Sequence, residues 1–157
     1  MASFKTKIPE YKKLVDDFLD NSLPNPNQSP QKLTQAMFYS VMNGGKRIRP
    51  LMMFASAETL DINFHDVLPY AASIELLHSF SLIHDDLPCM DDDSMRRGQP
   101  TTHIEFGEAT ATLAADALQS LAFQNMALAK FPESKISHLR LISVIAESIG
   151  SSGMAGG

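Results

Sequence analysis

The chain has 157 residues, one cysteine and a formal net charge of −5, with 13 Lys and Arg set against 18 Asp and Glu. That balance gives no electrostatic footprint for nucleic acid, and a lone cysteine excludes an internal disulfide. At the N-terminus Lys5, Lys7, Lys12 and Lys13 alternate with Glu10 and Asp16, so neither a secretory signal nor an apolar span of membrane length begins the chain. The expectation is one domain with a real core, not an integral membrane protein, located in the cytoplasm.

Helical periodicity runs through almost the whole sequence, and no convincing strand interrupts it. Ile8, Tyr11, Leu14, Val15, Phe18 and Leu19 predict a helix over 7–20, followed by an Asn- and Pro-rich loop over 21–29. Ser29-Pro30 opens a second helix to about Asn43, and Gly44 and Gly45 end it. A third covers about 48–60 with Pro50 tolerated in its first turn. The fourth runs from about Val67 to Leu87, and two more cover about 109–130 and 132–149. Runs such as Leu51-Met52-Met53-Phe54-Ala55 and Ala71-Ala72-Ser73-Ile74-Glu75-Leu76-Leu77 are apolar on more than one side, as in the middle of a large bundle or a subunit interface.

Chemistry concentrates at the end of the fourth helix. Asp85, Asp86, Asp91, Asp92 and Asp93 crowd into nine positions, and Arg96 and Arg97 follow. Carboxylates at such density repel unless a cation compensates them. Magnesium suits the set, because it takes one or two carboxylates and completes its shell with water and phosphate oxygens. The arginine pair supplies forks for the same phosphates. On an ideal helix Asp85 and Asp91 stand about 120° apart, but Pro88 removes a donor and pushes Leu87 out of the α region. The helix is therefore expected to break near Leu87, letting 91–93 fold back toward Asp85. Residue types alone also allow a solvated acidic loop.

Upstream, Gly44-Gly45-Lys46-Arg47-Ile48-Arg49 is not a P-loop, since Ser40 and Arg47 occupy positions that need Gly and Ser or Thr. It reads either as a helix end followed by three surface basic residues or as an anion site at a helix N-terminus. His78 lies seven residues before Asp85, on nearly the same helix face. A calcium loop starting at Asp91 fails, because Arg96 stands where Gly is required and Thr102 where the bidentate Glu is required. Cys89 is no magnesium ligand, as that ion prefers oxygen.

The segment Leu-Ile-His-Asp-Asp-Leu-Pro-Cys-Met-Asp-Asp-Asp with Arg-Arg-Gly resembles the first aspartate-rich motif of the trans-prenyltransferases, and most narrowly that of bacterial farnesyl diphosphate synthases. The likeness extends to Gly44–Pro50, to Pro100-Thr101-Thr102-His103 and to Phe106-Gly107-Glu108. It implies an all-α bundle of the isoprenoid synthase type, with Mg2+ as cofactor and with isopentenyl diphosphate and an allylic diphosphate (dimethylallyl or geranyl) as substrates. By correspondence, Asp85 and Asp91, with Asp86 beside them, ligate magnesium. Arg96 holds the allylic diphosphate, and Lys46, Arg49, His78 and Arg97 hold the homoallylic one. Phe80 and Ser81 set product length, giving farnesyl diphosphate, with geranylgeranyl or another short-chain product as the alternative. The family's second motif, Asp-Asp-x-x-Asp, has no counterpart here, since Glu133 and Glu147 are the only acidic residues after Asp116. Residues 1–157 are thus expected to form a single partial domain, the first half of an enzyme that is a homodimer when complete. The alternatives for the fragment itself are a noncatalytic partner or prenyl-diphosphate-binding piece. A terpene cyclase would need no second basic pocket.

Overall fold

The computed structural model describes residues 4–130 and 138–157. Seven α-helices account for most of them: α1 Phe4–Ser22, α2 Gln31–Met42, α3 Ile48–Thr59, α4 Phe64–Asp85, α5 Thr102–Phe106, α6 Glu108–Leu128 and α7 His138–Ile149. Between α4 and α5 lies a two-stranded antiparallel hairpin, β1 Met95–Arg96 with β2 Gln99–Pro100. A short 3-10 turn, Met154–Gly156, follows α7.

The sequence elements form where periodicity and punctuation put them. Helix α1 buries Tyr11, Val15 and Leu19 at i, i+4, i+8, a single stripe on a charged helix. After the Pro-rich loop, Pro30 takes extended backbone and α2 begins at Gln31. Pro50 sits in the first turn of α3, where no amide partner is lost. Helix α4 starts earlier than its apolar run suggests, because the Asn63 side chain accepts the His65 amide and caps it.

Helix α4 is the central element, buried by α1, α2, α3 and α6. Its buried residues, among them Tyr70, Ala71, Ala72, Leu76, Leu77 and Ile83, surround the axis, as its apolar-all-round sequence requires. The partner α6 turns Ala111, Ala114, Ala115, Leu118, Ala122 and Met126 inward. Small residues along that face let the two long helices approach closely. A ring cluster, Tyr11 against Phe54 at 4.9 Å and Phe64 at 5.3 Å, ties α1 to α3 and to the start of α4. Fully burying each such side chain contributes about 1.5–3 kcal/mol.

Three features depart from expectation. The hairpin was not foreseen; each strand has only two residues, too few for alternation to register. The five-residue α5 was also missed. Helix α4 ends at Asp85, two residues before the predicted break: the Asp86 amide makes the last α-type bond, to Leu82, and Leu87 bonds to His84 in a tighter i−3 pattern. The expected beginning of α7 at Pro132 lies outside the described residues. Within the described part of α7 Ile145 is buried, while Leu139 and Val144 are exposed. No helix among the described residues is long and apolar enough to cross a membrane.

Candidate active site

Past Asp85 the chain turns back on itself. The Asp91 amide donates to the Asp85 carbonyl at 2.8 Å, and the Met90 and Asp92 amides donate to Leu87. Pro88, lacking a donor, sits at the outside of this turn, where no hydrogen bond is demanded of it. Asp85 is half-buried and Asp91 exposed, so both carboxylates remain available at the end of α4. Among the described residues no three His, Cys, Asp or Glu side chains are gathered into a preformed metal cage. Two hard oxygen donors brought to one turn nevertheless fit an ion that takes only one or two protein carboxylates and leaves the rest of its shell to phosphate.

Asp86 is engaged elsewhere. It is 3 % exposed and both of its oxygens accept from Arg96: Nε lies 2.9 Å from Oδ1 and from Oδ2, and Nη2 lies 2.5 Å from Oδ1. Asp93 adds a looser contact at 3.6 Å. The charge-assisted bonds to Asp86 hold the Arg96 guanidinium above its ordinary pKa. Asp86 therefore orients Arg96 in this arrangement and does not join Asp85 and Asp91.

The hairpin separates the two arginines. Its register pairs Met95 with Pro100 and Arg96 with Gln99, leaving Arg97 and Gly98 as a two-residue turn. Both have positive φ, 54° and 81°, the requirement of a type I′ turn. Arginine is an uncommon occupant of that first position, and the turn is held from outside by Tyr39, whose hydroxyl donates to the Pro100 carbonyl, and by Thr101, whose hydroxyl donates to Asp93. Arg96 then faces Asp86 while Arg97 reaches the other way and donates to the Gly44 carbonyl. Gly45, at φ 144°, lets it pass: a Cβ there would lie 2.9 Å from the Arg97 guanidinium.

Lys46, Arg49, His78 and Arg97 line one solvent-open cavity of about 570 Å³, with Glu75 as its carboxylate. Lys46 and Arg49 are exposed and His78 half-buried. Burial, then Arg49 and more weakly Arg97 and Arg96, pushes His78 below the ordinary histidine pKa, against the pull of Glu75. Arg97 is lowered too, first by burial and then by Arg47. A cationic cavity that costs its own residues proton affinity is stabilised by an incoming anion, and His78 is the group there whose charge responds to one.

Arg47 is not a surface residue. It is 4 % exposed, with Nε 2.8 Å from Asp16, Nη1 3.0 Å from Glu75 and Nη2 3.0 Å from the Val41 carbonyl. Removing one member of such a buried pair strands the other's charge, at a cost of about 3–5 kcal/mol. Neither Arg47 nor Glu75 figured among the expected site residues. Glu75 did carry a signal, since one carboxylate inside an apolar helical run must find a cation. Phe80 packs against the core with its ring edge-on to His84 at 4.8 Å, and the Ser81 hydroxyl donates to the His78 carbonyl. His84 Nε2 lies 3.8 Å from Asp116, and Cys89 is exposed.

A family model described as polyprenyl synthetase matches residues 30–154. The chain belongs to the polyprenyl synthetase family. It is 42% identical over 155 residues to a farnesyl diphosphate synthase of Haemophilus influenzae, covering 98% of this chain and 52% of that protein. It is 41% identical over 156 residues to the large subunit 1 of a chloroplastic heterodimeric geranylgeranyl pyrophosphate synthase of Arabidopsis thaliana, covering 98% of this chain and 42% of that one. The crystal structure of an FPP/GFPP synthase from Zymomonas mobilis superposes with a TM-score of 0.90 at 38% identity, over 98% of this chain and 55% of that chain. This polyprenyl synthetase chain thus has the all-α isoprenoid synthase architecture expected of it, and it spans about half the length of the relatives it matches.

Proposed function

We propose that this chain forms the part of a prenyltransferase that binds both substrates, isopentenyl diphosphate and an allylic diphosphate, for condensation to farnesyl diphosphate. The observation that carries the reading is the meeting of Lys46, Arg49, His78 and Arg97 in one cavity, apart from the turn that presents Asp85 and Asp91. Two diphosphates need two cationic environments, one built of side chains and one of metal. A cyclase ionising a single diphosphate has no use for the first.

In this reading the homoallylic diphosphate sits among the four basic residues, and the allylic one faces Asp85 and Asp91. Arg96, aimed by Asp86, donates to the allylic diphosphate. Magnesium held by Asp85 and Asp91 would supply the positive charge that stabilises the departing diphosphate. The allylic carbon–oxygen bond breaks, the isopentenyl double bond attacks the resulting cation, and proton loss leaves a chain five carbons longer. No dedicated base is visible among the site residues, and the departing diphosphate is the proton acceptor. Side chains that fix two mutually repelling diphosphates in one place supply much of the acceleration. A cytoplasmic homodimer, complete with the half that the relatives possess, belongs to the same reading.

Relatives of nearly equal identity bear farnesyl and geranylgeranyl names, so a twenty-carbon product is the second reading. Phe80 favours the shorter one, by analogy with an aromatic floor beneath the first motif. On an ideal helix Phe80 is about 140° from Asp85 and Ser81 about 40°, so Phe80 acts only on a cavity that extends alongside α4. A full-length enzyme carrying this segment, supplied with dimethylallyl and isopentenyl diphosphates, is expected to accumulate the fifteen-carbon product, and its Phe80→Ala variant longer ones. Unchanged product length in the variant removes Phe80 from this role, and a wild-type product of twenty carbons or more moves the enzyme to the second reading.

A further inference from the structure

Arg47 sits between Lys46 of the loop and Arg49 of α3 and lines the same basic cavity, yet its guanidinium is held by protein oxygens. All three of its guanidinium nitrogens are engaged, by Asp16 of α1, Val41 at the end of α2 and Glu75 of α4. Its backbone is left-handed, φ 52° and ψ 37°, a conformation that a residue other than glycine holds only when its surroundings fix it. Its carbonyl accepts the Leu51 amide at 3.1 Å and so founds the first turn of α3, which carries Arg49. Glu75 is 3 % exposed and lies one helical turn before His78. Its Oε1 holds Arg47, and its buried Oε2 has no hydrogen-bond partner among the described residues.

We infer that Arg47 is a positioning residue for the anion cavity, anchored by Glu75 and Asp16 so that the left-handed turn aims Lys46 and Arg49 together with His78 into one space. The inference rests on the cavity's role as the homoallylic diphosphate site. Arg47 borders the cavity, but three of its five donors hold Asp16, Glu75 and the Val41 carbonyl, and its part is to fix the turn and not to bind the ligand. Its charge alone does not fulfil the role: the fork is what spans three helices, and a lysine, with one point of attachment, cannot reproduce it.

The test is titration calorimetry of this chain with inorganic pyrophosphate in chelator, so that no divalent ion recruits the aspartates. Wild type is expected to bind. Arg47→Lys, which conserves charge, is expected to weaken binding at least about tenfold, the scale of lost preorganisation at a charged contact. The same substitution in a Lys46→Gln, Arg49→Gln background is expected to cost little more, since the residues it positions are gone. Glu75→Gln supplies a sign test: deleting a negative charge from a cationic cavity should by itself tighten anion binding, whereas loss of the anchor weakens it. Weaker binding by Glu75→Gln supports the anchor. Unchanged affinity in Arg47→Lys with only a lowered melting temperature, additive effects in the cycle, or tighter binding by Glu75→Gln overturns the inference and leaves the diphosphate site standing. No pyrophosphate binding by the folded wild type overturns the site itself, and the inference with it.

Discussion

Asp85→Ala or Asp91→Ala in a full-length enzyme carrying this segment is expected to lower turnover at least about a hundredfold, the scale of losing one preorganised electrostatic contact to charge that develops in the transition state. In the turn that follows α4 the Asp91 amide bonds to the Asp85 carbonyl, which brings the two residues next to each other. That bond is made by the backbone and survives either substitution, so the loss reports the carboxylate and not the fold. Asp86→Ala differs in kind. It strands Arg96, whose guanidinium is bound through both Asp86 oxygens, and its effect should appear first in the affinity for the allylic substrate. Wild-type turnover in either the Asp85 or the Asp91 variant would remove both residues from the chemistry.

The second large effect is expected of the 157 residues by themselves, which should not sustain condensation. One aspartate motif cannot enclose a diphosphate with metal on every side, and after Asp116 the chain offers only Glu133 and Glu147 as further carboxylates. Packing points the same way. Leu139, Val144 and Leu128 are exposed on α7 and at the end of α6, apolar surface that favours self-association in an isolated chain. Purified chain incubated with dimethylallyl and isopentenyl diphosphates and magnesium should give no product above background, while a sedimentation run shows species larger than the monomer. Steady product formation would refute the half-enzyme reading.

Most of the helical architecture was legible in the sequence, because it depends on local signals. Tyr11, Val15 and Leu19 declare the buried stripe of α1 by spacing, and Pro30, Pro50, Gly44 and Gly45 mark boundaries through their own backbone constraints. The basic cavity was legible only through family likeness, as nothing in spacing brings Arg97 beside Lys46. That meeting depends on a hairpin of four paired residues whose turn holds an arginine at positive φ, stabilised by the neighbouring Thr101, by Asp86 at the end of α4 and by Tyr39, sixty-one residues before Pro100. Residue type likewise cannot tell Asp86 from Asp85. What separates them is burial and the nearness of Arg96, both tertiary facts. Arg47 was hidden for the same reason: in a run of three basic residues, the buried one is set by where Asp16 and Glu75 lie across the bundle.

The most direct test of the whole account is calorimetric binding of geranyl diphosphate to this chain, with magnesium and with chelator, in wild type and in the Asp85→Ala, Asp91→Ala double variant. Binding by wild type that strengthens at least about tenfold with magnesium, and a double variant that has lost this gain, is the predicted result. Equal affinity with and without the ion, or a double variant that responds to magnesium as wild type does, would contradict the assignment of Asp85 and Asp91 to a metal-bridged diphosphate site.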